Sequence, residues 1–171
     1  MLSSHPSFYI ERNKMSDKTL LDLENMLEET LDAVPDMPDY VKPPAGEYIL
    51  EVKDSVIDKY FTKKEPDVEK QRLKNTYAIL ETISTATKEE PVPDGSLFTE
   101  TFMPTQDGLG YFKKRITGIM NVSDVVGTSL AQMMDSVKGV TFKARLSIKK
   151  SKGDDGTEYE NVQIRVVPPQ E

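Results

Sequence analysis

A strict alternation that begins at Val140 constrains this chain more than any other feature. Val140, Phe142, Ala144, Leu146 and Ile148 fall on one side, and Thr141, Lys143, Arg145, Ser147 and Lys149 on the other. Successive side chains of a strand point to opposite faces, so a period of two reads as a half-buried β-strand. Lys150, Ser151, Lys152, Gly153, Asp154, Asp155 and Gly156 follow, and that glycine- and aspartate-rich span reads as a hairpin turn. The alternation then resumes, with Val162, Ile164 and Val166 one way and Tyr159, Asn161, Gln163 and Arg165 the other. Pro168 and Pro169 stop it, because proline cannot donate to a ladder. From Lys138 to Lys152 there are six basic residues and no acidic one, in a chain of formal net charge −7.

That net charge is concentrated elsewhere. Ser16 to Asp39 holds eight acids against Lys18 alone, which accounts for the whole −7. The rest of the chain is neutral, so the overall acidity says nothing against a polyanion partner for the folded part. The chain has no cysteine, which excludes disulfide scaffolds and thiolate metal sites, and its single histidine, His5, lies in the N-terminal extension, which argues against histidine-based catalysis. No apolar run approaches the ~20 residues of a membrane-spanning helix, and no secretory h-region follows the N-terminus.

Read in order, Met15-Ser16-Asp17 resembles a second start, so residues 1–15 are set aside as a disordered extension. Leu20, Leu23, Leu27 and Leu31 recur at helical steps and predict an acidic helix over 17–33. Its leucines suit either packing on the domain or a mobile acidic arm, since so short a helix is marginal alone. Pro35, Pro38, Pro43 and Pro44 then read as a stiff linker, which places the domain at 45–168 after an arm and linker over 16–44. A strand is expected at 46–57, with Tyr48, Leu50 and Val52 on one face. Residues 58–75 lack a period and read as a long charged loop, in which Tyr60 stands among Lys63, Lys64 and other cations. Further strands are expected at 76–87 and 97–103, followed by helices at 108–120 and 127–138. The first helix has an apolar stripe of Tyr111, Phe112, Ile116 and Ile119 beside the basic cluster Lys113, Lys114 and Arg115. The second has Leu130, Met133, Met134 and Val137 inward, with Gly139 as its stop.

Catalytic motifs are missing. Asp107-Gly108-Leu109-Gly110 lacks the third glycine and the lysine of a phosphate loop. Asp154, Asp155 and Glu158 stand close enough in sequence for magnesium, but aspartate and glycine are what a hairpin turn contains anyway. A metal-dependent nuclease is therefore the weaker reading, and a binding protein without cofactor or metal the stronger.

Several segments carry a resemblance. Pro43-Pro44-Ala45-Gly46-Glu47-Tyr48 enters the first strand; Leu97-Phe98-Thr99-Glu100-Thr101-Phe102 precedes a helix that starts Tyr111-Phe112-Lys113-Lys114-Arg115; Lys138-Gly139-Val140 opens a basic strand that returns through Tyr159-Glu160-Asn161-Val162. Over roughly 17–167 the order of elements resembles phage-encoded single-stranded-DNA-binding proteins of the OB-fold type. The resemblance implies a mainly β protein, a five-stranded OB-like β-barrel with two helices before the last hairpin and an acidic N-terminal helix. It implies non-sequence-specific single-stranded DNA binding in phage replication or recombination, in the host cytoplasm, with replication or recombination proteins met through the acidic arm. The alternative is a virion structural or interaction protein built on the same β-rich module. The sequence leaves oligomeric state open.

An OB barrel binds single strands with a basic groove and exposed aromatics. The expected groove residues are Lys143, Arg145, Lys149, Lys150 and Lys152 with Arg165 on the paired strand, then Lys63 and Lys64, and Lys113 and Lys114. Tyr159, Tyr60 and Tyr111 are the expected stacking residues. The competing reading is a solvated outer face, since lysine also protects sheet edges. A tethered polyanion at high effective concentration competes with DNA. Removing the arm is thus expected to strengthen single-strand binding most at low salt, a change that affinities measured at two salt concentrations would register.

Overall fold

The two-residue period found from Val140 marks burial over 46–52 and 141–146, whereas residues 75–79 are buried at five consecutive positions. The computed structural model describes residues 22–28, 30–33, 36–86, 88–123 and 125–170. These fall into two units, divided after Met37.

In the first unit the helix expected over 17–33 is, among its described residues, two 3-10 turns at Glu24–Met26 and Leu31–Ala33. The remainder of that expectation, 17–21 and Glu29, lies outside the described residues, as does the extension 1–15. The Asp22 carboxylate accepts from the backbone N–H of Glu24 at 3.2 Å and from the Asn25 side-chain amide at 2.8 Å. Such local side-chain bonds compete with a continuous helix.

The second unit begins at Pro38. Its elements are β1 (Gly46–Tyr60), β2 (Lys70–Thr85), β3 (Leu97–Phe102), α1 (Gln106–Met120), α2 (Leu130–Val137), β4 (Thr141–Lys152) and β5 (Glu158–Val167). The strands form one five-stranded sheet in the order β3-β2-β1-β4-β5, with every pairing antiparallel. The mainly β class and the two helices ahead of the last hairpin are as expected.

One core serves all seven elements. Tyr48, Leu50 and Val52 of β1 meet Leu73, Tyr77 and Ile79 of β2 and Phe142, Ala144 and Leu146 of β4. Phe98 and Phe102 of β3 and Ile164 of β5 join the same cluster from the two edges. Phe112, Ile116 and Ile119 of α1 and Met133 and Val137 of α2 cover it. Tyr111 and Leu130, read from the sequence as part of the helical stripes, are exposed. Thr105 caps α1 by accepting from the Gly108 N–H at 3.0 Å, and a Ser129–Gln132 capping box starts α2. Gly139, at φ +82°, turns the chain out of α2, and its N–H donates to the Val52 carbonyl at 2.7 Å.

Two differences bear on the site. The region expected as a loop over 58–75 is mostly paired: β1 and β2 run on as a ribbon to Tyr60↔Lys70, with 61–69 as its tip. Beyond the Ile57↔Leu73 pair the ribbon outlasts the core, so neither face is buried and no hydrophobic period marks it; Asp58 bonds Arg72 at 2.8 Å and Lys74 at 3.2 Å instead. The prolines read as a linker are also partly built in. The Leu97 N–H donates to the Asp39 carbonyl at 2.8 Å, and the Val41 N–H to the Leu97 carbonyl at 2.7 Å. Pro43 and Pro44 are buried, and the Tyr48 hydroxyl donates to the Pro44 carbonyl at 2.6 Å. A truncation that leaves the sheet intact therefore stops at Met37.

Candidate nucleic-acid interface

Register decides which cations of the last hairpin stand together. Phe142, Ala144, Leu146 and Ile164 point into the core, so the alternate positions point out. Arg145 lies opposite Arg165, Lys149 opposite Asn161 and Ser151 opposite Tyr159. Cross-strand partners share a face. Lys143, Arg145, Lys149, Arg165 and Tyr159 therefore occupy one outer face, and neither strand places a carboxylate on it.

Neighbouring strands do bring acids to this face: Glu51 of β1, opposite Thr141, is paired with Lys53 at 3.0 Å, Glu81 of β2 lies opposite Ile49, and Glu47 of β1 reaches the cations themselves. Glu47 lies opposite Arg145 and accepts from its guanidinium at 2.6 Å, with Lys143 Nζ 3.6 Å from its other oxygen. The hydrogen bond from Arg145, reinforced by the Lys143 charge, holds the Glu47 carboxyl below its ordinary range. Lys149 and Arg165 have no carboxylate partner among the described residues. Two like charges directly opposite, as Arg145 and Arg165 are, disfavour each other. An anion laid across the pair relieves that repulsion. Tyr159 is 48% exposed, and its ring edge passes over Gly153 so closely that a Cβ there would sit 2.8 Å from Cε2.

Lys150 and Lys152 lie on the opposite face of the ribbon, across from Glu160 and Glu158. Lys150 Nζ is 3.7 Å from Glu160, which also accepts from Lys42 at 2.8 Å. The Lys42 bond is the main reason the Glu160 carboxyl is held down. The structure thus separates these two lysines from the outer face with which the sequence grouped them.

Tyr60, Lys63 and Lys64 belong to the β1–β2 ribbon. Since β1 and β4 are antiparallel, its tip and the β4–β5 turn leave the sheet at opposite ends. One face of the Tyr60 ring is taken by the Arg72 guanidinium, 4.4 Å from the centroid. Lys63 and Lys64 are exposed and unpaired among the described residues. Lys113 is exposed on α1.

No family model matches this chain. No curated protein matches it either.

A cleft of about 1340 Å³ opens between the two sheet edges, β3 and β5, with α1 along it. Of the residues singled out in the sequence, it brings together Tyr111, Lys114 and Arg165. Sequence reasoning missed its wall. Arg115 donates through Nε and Nη2 to Glu100 at 2.9–3.1 Å. Glu100 also accepts from the buried Tyr77 hydroxyl at 2.7 Å. Tyr77 in turn accepts from Asn75 at 3.1 Å, and Asn75 accepts from Ser55 at 2.7 Å. Burial, with the nearby Glu100 charge, pushes the Tyr77 hydroxyl well above its usual pKa. Glu47 and Arg72 were also missed, since only strand register places them beside their partners, and so was Lys42, which lies ahead of β1.

Asp154, Asp155 and Glu158 do not form a cation site: no three metal-ligating side chains are grouped among the described residues. Asp155 instead accepts from the Thr157 N–H at 3.0 Å, and that bond lowers its pKa.

Four carboxyls, those of Glu47, Asp58, Asp155 and Glu160, are held below their ordinary values. A carboxylate with a depressed folded-state pKa contributes stability above its unfolded pKa and loses it as pH falls through the folded one. Melting temperature is therefore expected to be level from neutrality down to about pH 5. It should begin to fall near the ordinary glutamate value of 4.5. A melting temperature still level at pH 3 would contradict these pairings.

Proposed function

We propose that this chain binds single-stranded DNA without strong sequence preference, on the outer face of β4 and β5. Lys143, Arg145, Lys149 and Arg165 contact phosphates there, and Tyr159 stacks a base. One observation carries the reading: register gathers four cations and an exposed ring on one face to which β4 and β5 contribute no carboxylate. Backbone neutralisation by lysine and arginine is sequence-independent, and every base has a face to stack, so such a surface discriminates little among sequences.

The fold we propose is an OB-like barrel. Side chains from both edge strands, Phe98 and Phe102 of β3 and Ile164 of β5, enter one core, as in a sheet rolled toward closure. The corresponding role is in phage DNA replication or recombination. No helix among the described residues is long and apolar enough to cross a membrane.

Fluorescence anisotropy with labelled single strands and duplexes of equal length tests the reading. Single strands of unrelated sequence are expected to bind with similar affinity and duplexes more weakly, because stacking on Tyr159 needs an unpaired base. Failure to bind any single strand at low salt would overturn it.

Glu47 gives a second, less obvious test. It occupies two of the four cations, so Glu47→Gln is expected to tighten single-strand binding. An ion pair at the surface is weak, so the gain expected is roughly 2- to 5-fold in affinity. Unchanged or weaker binding by this variant would mean that Lys143 and Arg145 do not meet the DNA.

A further inference from the structure

We propose that the cleft between β3 and β5 is a second contact region for the same single strand, which crosses the β5 edge at Arg165 and continues over Tyr111 and Lys114 of α1. This rests on the outer-face reading above.

Arg165 is the link. It stands on the outer face opposite Arg145 and also lines the cleft. A backbone neutralised at Arg165 has cations on both sides of the edge. Within the cleft, Glu100 is matched by Arg115 and Glu160 by Lys42, at 2.9 Å and 2.8 Å. Lys114 and Arg165 remain without carboxylate partners among the described residues, against the single unmatched acid Asp107. The free charge of the cleft is therefore positive and suits an anion.

The helix supplies a ring as well. Tyr111, Lys114, Arg115 and Gly118 recur at helical steps and line the cleft, while Phe112, Ile116 and Ile119 turn to the core. Tyr111 is 68% exposed. A large aromatic held out from a helix beside unpaired cations has the make-up of a base-stacking position. The volume of about 1340 Å³ exceeds the roughly 300–1,000 Å³ typical of small-ligand sites and suits a polymer laid along an open channel.

Photo-crosslinking of the full chain to a 5-iododeoxyuridine-substituted single strand, with peptide mapping, tests the path. Adducts are expected on both Tyr159 and Tyr111. Tyr111→Ala is expected to weaken binding of a strand of about 16 nucleotides, the upper site size of one such domain, by about 5- to 100-fold. Tyr111→Phe should retain binding, since the ring face is kept. Adducts on Tyr159 alone, with Tyr111→Ala binding unchanged, would overturn the cleft path and leave the outer-face reading standing. Adducts on Tyr111, with binding insensitive to Lys143→Gln/Arg145→Gln, would support the cleft and remove the outer face. No adduct on either tyrosine, together with no anisotropy change, would overturn both.

Discussion

Reversing charge at both Lys143 and Arg145 is expected to weaken single-strand binding by about 10- to 100-fold, equally for all sequences. Each phosphate that is no longer neutralised takes about 0.7 from the slope of log affinity against log salt, so two take about 1.4. Reversal then adds repulsion against the strand. It would also set two new carboxylates beside Glu47, which already lies 2.6 Å from Arg145 and 3.6 Å from Lys143. Part of any loss in the reversed variant therefore comes from the fold. Lys143→Gln/Arg145→Gln removes the charges without that clash and is expected to show most of the binding loss, with a melting temperature close to that of the parent. Anisotropy and thermal melting on both variants separate the two contributions. A neutral variant that binds as tightly as the parent would show that this face is only solvated.

Replacing Glu100 with leucine is expected to have the largest effect on stability. Glu100 accepts from Arg115 on one side and from Tyr77 on the other. The Tyr77 side chain is fully buried, and the Arg115 side chain is 18% exposed. Removing one partner of a buried pair leaves a charge without compensation, at a typical cost of about 3–5 kcal/mol. Partial exposure of Arg115 lets water recover some of this, so about 2–4 kcal/mol is expected for Glu100→Leu. Glu100→Gln keeps an acceptor oxygen for Tyr77 and should cost about half as much. The double change Glu100→Leu/Arg115→Leu should recover part of the loss, because the stranded guanidinium is gone. Urea denaturation of the three variants checks the order. A Glu100→Leu loss below about 1 kcal/mol would show that the Ser55–Asn75–Tyr77–Glu100–Arg115 chain does not hold β1, β2, β3 and α1 together.

How much of this was legible from the residues depended on water. Where a strand has one wet and one dry face, as Thr141–Ile148 does, alternation gave the strand, its direction of burial and the cations on its outer side. Where a ribbon leaves the core, the same backbone carries no hydrophobic period. Asp58, Lys59, Lys70 and Arg72 therefore read as loop although they are paired strand. The first helix starts earlier than expected, at Gln106, and the second later, at Leu130, because capping by Thr105 and Ser129 sets the starts. The acidic segment has a leucine period, yet its described residues form short 3-10 turns. Leucine spacing specifies a face to bury, and a continuous helix this short needs packing to persist.

The candidate site was half legible for a related reason. Spacing separates odd from even positions within one strand, and so gathered Lys143, Arg145 and Lys149. It cannot reveal which residue lies across the ladder. The pairing of Arg145 with Glu47, of Lys150 with Glu160 and the placing of Arg165 opposite Arg145 all follow from register between distant strands. The Arg115–Glu100 pair likewise needs α1 docked on β3 before it exists.

The proposed function requires the outer face of β4 and β5 to neutralise the backbone of a single strand. The most direct test is the salt dependence of single-strand affinity for the parent chain and for Lys143→Gln/Arg145→Gln/Lys149→Gln/Arg165→Gln. The parent is expected to show a log–log slope near about −2 to −3, since each of up to four phosphates neutralised contributes about −0.7 and Glu47 offsets part of the total. The fourfold variant, folded as judged by its melting curve, should lose most of that slope and most of its affinity. Equal slopes for the two proteins would contradict the claim.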